Sequence, residues 1–401
     1  MNLVRLELQR GLGRHLRAGH PWVYRKALEH VPKLPPGSVV DLTEAGKFVA
    51  RGYYDPLSPI AVRVLTRDSR ETVDGAFYRR RVAAAWELRA NLLDRTDTDA
   101  FRLVHGESDG LPGVVADLYA GTVVLKLYSA GLTPARGMLV DALRALPGVR
   151  SVLGRDQLAG EDGEEEGPGS AAGVRLRWGE EPADPVVIQE RGVRFGVDVR
   201  RGQKTGFFLD QRENRALVRR LSHGASVLNC FSYSGGFSVN AALGGASRVF
   251  SVDQDADAIA LARANFARNG LDPNAHDFLA ADVFTLLSSF RDERRRFDVV
   301  ILDPPAFAKS QRAVEAAIDG YASLNRQALE VVTPGGLLVT ASCSARVTPE
   351  AFEGAVKEAG FKAGVDLTLV EERYQPPDHP IRLQFPEGRY LKFLVLRVTP
   401  W

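Results

Sequence analysis

The strongest constraint on how this chain can fold is an alternation that begins near Val193. After a hairpin expected over Val193 to Val199, short apolar runs recur at Ser226 to Cys230, Arg248 to Val252, Phe278 to Ala281, Val299 to Leu302 and Leu337 to Thr340. Between them lie helix-like segments at Gly236 to Ala242, Ala256 to Asn269, Tyr321 to Val332 and Pro349 to Ala359. Buried strands alternating with helices predict an α/β fold with a doubly wound, mostly parallel sheet. Ligands of such sheets sit at the carboxyl ends of the strands, so the strand-end residues carry the functional information.

The first of those ends runs Asn229-Cys230-Phe231-Ser232-Tyr233-Ser234-Gly235-Gly236-Phe237. Paired glycines between a strand and a helix allow close backbone approach to a ligand. Asp253 follows 18 residues after Gly235 at the end of the next strand, where an acid can accept from both ribose hydroxyls. Asp282, within Ala281-Asp282-Val283, closes the third strand and suits an adenine amino group. Turn, acid and acid on three successive strand ends describe an adenosine site. The three-glycine dinucleotide fingerprint is absent, which disfavours a nicotinamide cofactor. An adenosine without a phosphate cradle points to S-adenosylmethionine.

The fourth end reads Asp303-Pro304-Pro305-Ala306-Phe307. Two prolines fix the backbone and remove two amide donors, making a rigid lip that aims Asp303 at the crevice. From there Asp303 can bond a planar base, and Phe307 offers a ring for stacking; the alternative is a capping carboxylate and a core Phe. The fifth end runs Ser342-Cys343-Ser344. A pyrimidine C5 is too electron-poor to take a methyl group unaided, and thiolate addition at C6 makes it an enamine carbon. A lone cysteine is more often a small buried hydrophobe, but Cys343 beside Asp-Pro-Pro reads as a nucleophile, and Cys230 inside the turn as packing.

Upstream of residue 191 the texture differs. Val39 to Leu42, Phe48 to Tyr54 and Ile60 to Val64 are short strands between Pro/Gly turns, giving a small β-barrel-like module over 1–67. A helix over Val73 to Leu93, with Ala83 to Trp86 on its apolar side, opens a central α+β unit over 68–190. It continues with a hairpin of Gly113 to Asp117 and Thr122 to Tyr128, a helix over Pro134 to Leu146 and a strand over Val174 to Trp178. Residues 191–401 complete a three-domain chain of 401 residues. Charge is uneven along it: residues 1–70 carry 12 Lys/Arg against 6 Asp/Glu, 156–184 carry 2 against 9, and 191–220 carry 9 against 3. Basic blocks around an acidic loop at 160–169 suit a polyanion surface, or are solvated faces. Two cysteines build neither a disulfide framework nor a zinc site, so no metal is expected and a reducing cytoplasm is. No apolar run is long enough for a membrane span. Lys204-Thr205-Gly206-Phe207-Phe208-Leu209-Asp210-Gln211-Arg212 either closes over a cofactor or is a solvated helix entry, and His379 is either a proton carrier or structural.

Taken together these stretches resemble the ribosomal large-subunit methyltransferase I family. The likeness rests on Arg14 with His20-Pro21-Trp22-Val23, on Glu107-Ser108-Asp109-Gly110-Leu111-Pro112-Gly113, and on the Lys204 to Arg212 stretch. It continues through Leu228 to Phe237, Asp303-Pro304-Pro305, Ser342-Cys343-Ser344 and Asp378-His379-Pro380. The resemblance implies an N-terminal PUA domain for RNA, a central α+β domain and a class I (Rossmann-like) S-adenosylmethionine-dependent methyltransferase domain. It implies 5-methylcytidine formation in 23S rRNA or a large-subunit assembly intermediate, and it admits a homodimer. Carried over by motif, Cys343 is the nucleophile and Asp303 the partner of the target base. Gln211, Asn229, Phe231, Ser232, Gly235, Asp253, Asp282, Val283 and Asp303 fall at cofactor positions. Ala306 stands where the family has a lysine after Asp-Pro-Pro, with Lys309 three residues on. The competing readings are an exocyclic-amine RNA methyltransferase, an inactive rRNA-binding assembly factor and a small-molecule methyltransferase.

Overall fold

Residues 3–31, 33–155, 173–307 and 313–401 are described by the computed structural model; the acidic stretch 160–169 and Lys309 lie outside them. The chain divides into two units. One comprises Met1–Gln189, Val197–Leu209 and Pro377–Gly388, the other Glu190–Gly196, Asp210–Pro376 and Arg389–Trp401. Among the described residues no helix is long and apolar enough to cross a membrane.

The first unit opens with β1 (Val4–Glu7), α1 (Gly13–Ala18), β2 (Trp22–Tyr24), β3 (Val39–Glu44), β4 (Lys47–Tyr54) and β5 (Ile60–Thr66). The strands form one sheet in the order β1-β3-β4-β5-β2. The β3–β4 hairpin closes at Ala45-Gly46, where both residues have positive φ, the backbone that matches strand twist in a two-residue turn. Glu29 N–H donates to the Glu7 carbonyl (3.0 Å) and Gln9 N–H to that of Ala27 (2.9 Å), tying the segment after β2 to β1 and curling the sheet toward a barrel. Its core is aliphatic: Leu6, Val23, Val40, Leu42 and Val62.

The same unit continues with α2 (Gly75–Leu92), β6 (Ala100–His105), β7 (Val114–Tyr119), β8 (Thr122–Leu127), α3 (Arg136–Arg144), β9 (Ser151–Arg155) and β10 (Val174–Gly179). The sheet order is β10-β9-β8-β7-β6, and Phe77, Tyr78, Val82 and Trp86 of α2 share a core with Phe101, Leu103, Val123 and Leu125. The expected apolar side of α2 needs correcting. Residues 83–86 span a whole turn and cannot share a face; Ala84 is exposed, and the buried stripe is Phe77, Tyr78, Val82, Ala85, Trp86 and Arg89. Arg89 is fully buried. Its guanidinium grips both Asp109 carboxylate oxygens (2.6 and 2.8 Å) and donates to the Asp378 carbonyl (2.8 Å).

That last bond gives Asp378-His379-Pro380 a structural role. Asp378 also accepts the Arg102 N–H (2.9 Å), and the buried His379 ring lies 5.2 Å from that of His105. The Lys204 to Arg212 stretch is not a solvated helix entry either. Thr205 is buried and donates to Asp117 (2.5 Å), and Phe207 is buried beyond it.

A ladder of β11 (Val186–Glu190) and β12 (Val193–Val197) carries the chain toward the second unit, so the hairpin expected at Val193 to Val199 begins earlier, at Val186. The second unit holds α4 (Arg212–Leu221), β13 (Ser226–Cys230), α5 (Gly236–Leu243), β14 (Arg248–Asp253), α6 (Ala256–Arg268), β15 (Asp277–Ala280), α7 (Val283–Asp292) and β16 (Phe297–Leu302). It ends with α8 (Val314–Leu329), β17 (Val332–Ser342), α9 (Pro349–Ala363), β18 (Val365–Arg373) and β19 (Lys392–Pro400). The sheet order is β15-β14-β13-β16-β17-β19-β18. Strands β13 to β17 run parallel, and β19 lies antiparallel between β17 and β18. The order reverses between β13 and β16, the place where such sheets bind ligands. Helix α8 starts well before the expected Tyr321 because Gly320, which reads as a breaker, is inside it. A Cβ there would meet the Phe307 ring at 3.2 Å.

Candidate active site

The turn after β13 is built from left-handed backbone. Phe231 (φ 59°), Tyr233 (φ 45°) and Gly235 (φ 80°) alternate with ordinary residues. For the two non-glycines this costs roughly 1–3 kcal/mol each, offset by a hydrogen-bonded frame. Ser232 N–H donates to the Val252 carbonyl (2.9 Å), Gly235 N–H to the Ser232 carbonyl (2.9 Å) and Tyr233 N–H to Asp253 Oδ2 (2.8 Å). Gly235 has a packing reason as well: a Cβ would lie 2.8 Å from that of Ala262 on α6.

Asp253 thus sits at the end of β14 against this turn, with Oδ1 also accepting the Asp255 N–H (3.1 Å). Burial, the largest influence, pushes its carboxyl up from the usual aspartate value. Cys230, one residue before the turn, is buried, and burial pushes its thiol far up, consistent with packing.

Three buried polar atoms of the turn and the strand before it lack a hydrogen-bond partner among the described residues, Asn229 Oδ1, Ser232 Oγ and Ser234 Oγ, and so does Asn214 Oδ1 on α4. Buried polar groups are nearly always satisfied, so a cluster of orphans beside a strained turn fits a polar ligand that completes them. Asn229 is anchored by its other end, Nδ2 to Ser238 Oγ (2.9 Å).

Asp282 and Val283 have different surroundings. Asp282 caps α7, accepting Thr285 N–H and Oγ1–H (both 2.8 Å), and these bonds hold its carboxyl below the usual range. Val283 is buried in the core of the sheet.

Asp303 follows β16, whose Leu302 is level with Thr340 of β17. Asp303 Oδ1 accepts from Gln211 Nε2 (3.0 Å), and Gln211 Oε1 accepts from Asn214 Nδ2 (2.6 Å). A relay of amides from the start of α4 therefore fixes the carboxylate at the strand end. Phe307 packs against Tyr321 with ring centroids 4.7 Å apart, as a core residue would.

Cys343 is the first residue past β17, half-buried between two buried serines. Ser342 Oγ donates to the Tyr321 hydroxyl (3.0 Å), which also pairs with Ser344 Oγ (2.9 Å). Because side chains alternate along a strand, pinning both serines to Tyr321 turns Cys343 the other way. Lys392, opposite Ser342 in the β17–β19 register, donates to the carbonyls of Ser344 (2.7 Å), Val347 (2.9 Å) and Tyr390 (2.9 Å). Burial pushes its ammonium down to about 8, while the Cys343 charge pulls it back up. Tyr321, Lys392 and Asn214 carry no local sequence signal. Strand register brings Lys392, the packing of α8 brings Tyr321, and the first turn of α4 brings Asn214.

The S-adenosylmethionine-dependent methyltransferase family matches residues 167–394, and a PUA-like domain matches residues 6–67. A ribosomal RNA large subunit methyltransferase I of Aeromonas hydrophila is 42% identical over 393 residues, covering 97% of this chain and 98% of that one. The enzyme of that name from Cronobacter sakazakii is 40% identical over 393 residues, covering 97% and 98%. A methyltransferase solved in complex with SAH shares the fold at a TM-score of 0.87 and 24% identity, covering 98% of this chain and 100% of that one. With its PUA-like module, seven-stranded methyltransferase sheet and end-to-end likeness, the chain belongs to the S-adenosylmethionine-dependent ribosomal RNA large-subunit methyltransferase I family.

Proposed function

We propose that this cytoplasmic enzyme methylates C5 of a cytidine in 23S rRNA, free or within a large-subunit assembly intermediate. What supports the reading most is the placement of Cys343, half-buried at a strand end between serines held by Tyr321 and Lys392, next to the strand that Asp303 follows. The whole-length likeness to ribosomal RNA large subunit methyltransferase I enzymes supplies the substrate class. The division into RNA-binding, central and methyltransferase domains at 1–67, 68–190 and 191–401 goes with it, as does a homodimer.

In this reading Asn229, Ser232, Gly235 and Asp253 hold S-adenosylmethionine, with Gln211, Phe231, Asp282 and Val283 around it. The bound cofactor supplies an electrophilic methyl group. Asp303 bonds the amino edge of the cytosine and fixes its plane. The Cys343 thiolate forms a bond to C6, and the C5–C6 π pair moves onto C5, making that carbon nucleophilic. After C5 has gained the methyl, loss of its proton returns an electron pair to C5–C6 and expels the thiolate. In this reading the Lys392 cation, held at the Ser344 carbonyl next to Cys343, favours thiolate over thiol.

The test is label transfer from S-adenosylmethionine to unmodified 23S rRNA, followed by nucleoside mass spectrometry. The expected product is 5-methylcytidine, lost in Cys343→Ala while cofactor binding persists. An N-methylated nucleoside, or near-normal activity of Cys343→Ala, would overturn the C5 mechanism and the role given to Cys343; methylation on an exocyclic amine would support the amine reading instead.

A further inference from the structure

A cavity of about 280 Å³ opens in the first unit, far along the chain from the strand ends described above. Its lining is Trp22, Arg63, Gly106, Glu107, Val115 and Tyr128 with Gly113. Two stretches that the methyltransfer chemistry leaves unused meet here: Trp22 Nε1 donates to Glu107 Oε1 at 2.8 Å, across 85 residues of sequence. We propose that this cavity binds a single unstacked base of the RNA substrate, preferring a base with an exocyclic amino group.

Its volume falls just below the roughly 300–1,000 Å³ of pockets that take whole drug-sized ligands, which suits one ring system. Its aromatic walls are fixed or exposed as a stacking platform requires. Trp22 is braced edge-on by Phe385 (4.6 Å) and Tyr24 (6.4 Å). Tyr128 is 43% exposed and carries the Lys126 ammonium 4.8 Å from its ring centroid, a cation placed for the phosphate beside a stacked base.

The polar groups are complementary to a base edge. Glu107 Oε2 has no partner among the described residues, so it can accept from an amino group. The buried Arg63 guanidinium, bonded to Ser129 Oγ (3.1 Å) and 3.7 Å from Asp55, supplies donors for a ring nitrogen or carbonyl. Gly113 keeps the wall thin: its φ is +76°, and a Cβ would sit 2.9 Å from the Tyr53 hydroxyl. A planar heterocycle between aromatic rings, with one acceptor and one donor at its edge, is how single-stranded RNA bases are held.

The proposal rests on the RNA-directed reading above, and the experiment separates the two. Anisotropy titrations of the full chain would use labelled 12-nucleotide oligo(C), oligo(A) and oligo(U) RNAs, with S-adenosylmethionine binding as the check of fold. Wild type should bind oligo(C) and oligo(A) more tightly than oligo(U). Tyr128→Ala should weaken all three roughly five- to 150-fold, and Glu107→Gln should erase the ranking, both keeping wild-type cofactor affinity. Wild-type RNA binding unchanged by both substitutions overturns the pocket and leaves the RNA reading standing. No RNA binding by the wild type overturns both. Loss of cofactor binding in one variant leaves the other to decide, with Tyr128→Phe, which keeps the ring, expected to bind as wild type.

Discussion

Lys392 Nζ lies 2.7 Å from the Ser344 carbonyl, so the loop bearing Cys343 is held by a buried cation on the neighbouring strand. In Lys392→Met the buried carbonyls of Ser344 and Val347 and the part-buried one of Tyr390 lose their donor, at about 1–3 kcal/mol for each buried one left unsatisfied. The variant should be clearly less stable at pH 7 in urea melts. The pH dependence has a definite sign. With the folded-state value near 8 and the usual value at 10.5, the unfolded chain holds this proton between those limits while the folded chain has released it. Stability from this group therefore rises with pH across that window. Subtracting the Lys392→Met profile from wild type should give an upward slope between about pH 8 and 10.5 and a flat line below.

Gln211 bridges Asp303 and Asn214. Gln211→Leu removes both bonds while keeping bulk, and it should slow label transfer about tenfold by freeing the Asp303 carboxylate. Single-turnover kinetics at saturating cofactor would measure this; an unchanged rate would remove Gln211 from any role in positioning Asp303.

Asp253 should govern cofactor affinity through its charge. Asp253→Asn replaces an ionised acceptor, and a loss of roughly ten- to a hundredfold in S-adenosylmethionine affinity is expected. Because burial raises its carboxyl, wild-type affinity should fall as pH drops toward that raised value, since the protonated form is the weaker acceptor. Calorimetry of the Asn variant should give the flatter profile.

Arg89→Met tests the central module. It leaves the Asp109 carboxylate buried without its bidentate partner, a loss of about 3–5 kcal/mol. Replacing both residues by apolar ones should recover much of it.

The parallel part of the second sheet was legible because its strands are continuous apolar runs and its ligand-facing residues fall at strand ends. Ser226 to Cys230 matches β13 to the residue. Strands β18 and β19 were not, since β18 is half-exposed and polar (Val365–Arg373) and β19 lies beyond an excursion into the other unit. At the site, Asp253 and Cys343 stand where their spacing put them. Asp282 also caps α7 and Phe307 packs on Tyr321, because capping and packing use the same residue types as recognition. Lys392 was invisible: a lysine 49 residues from Cys343 reads as surface until strand pairing places it beneath the loop.

The excursion at Pro377–Gly388 also bears on how the chain comes off the ribosome. Arg89 and the Arg102 amide find partners on Asp378, a residue synthesised after most of the second unit. The first unit therefore stays unfinished, its central arginine waiting, until the second has been almost wholly translated, so both halves should acquire protease resistance together rather than in succession.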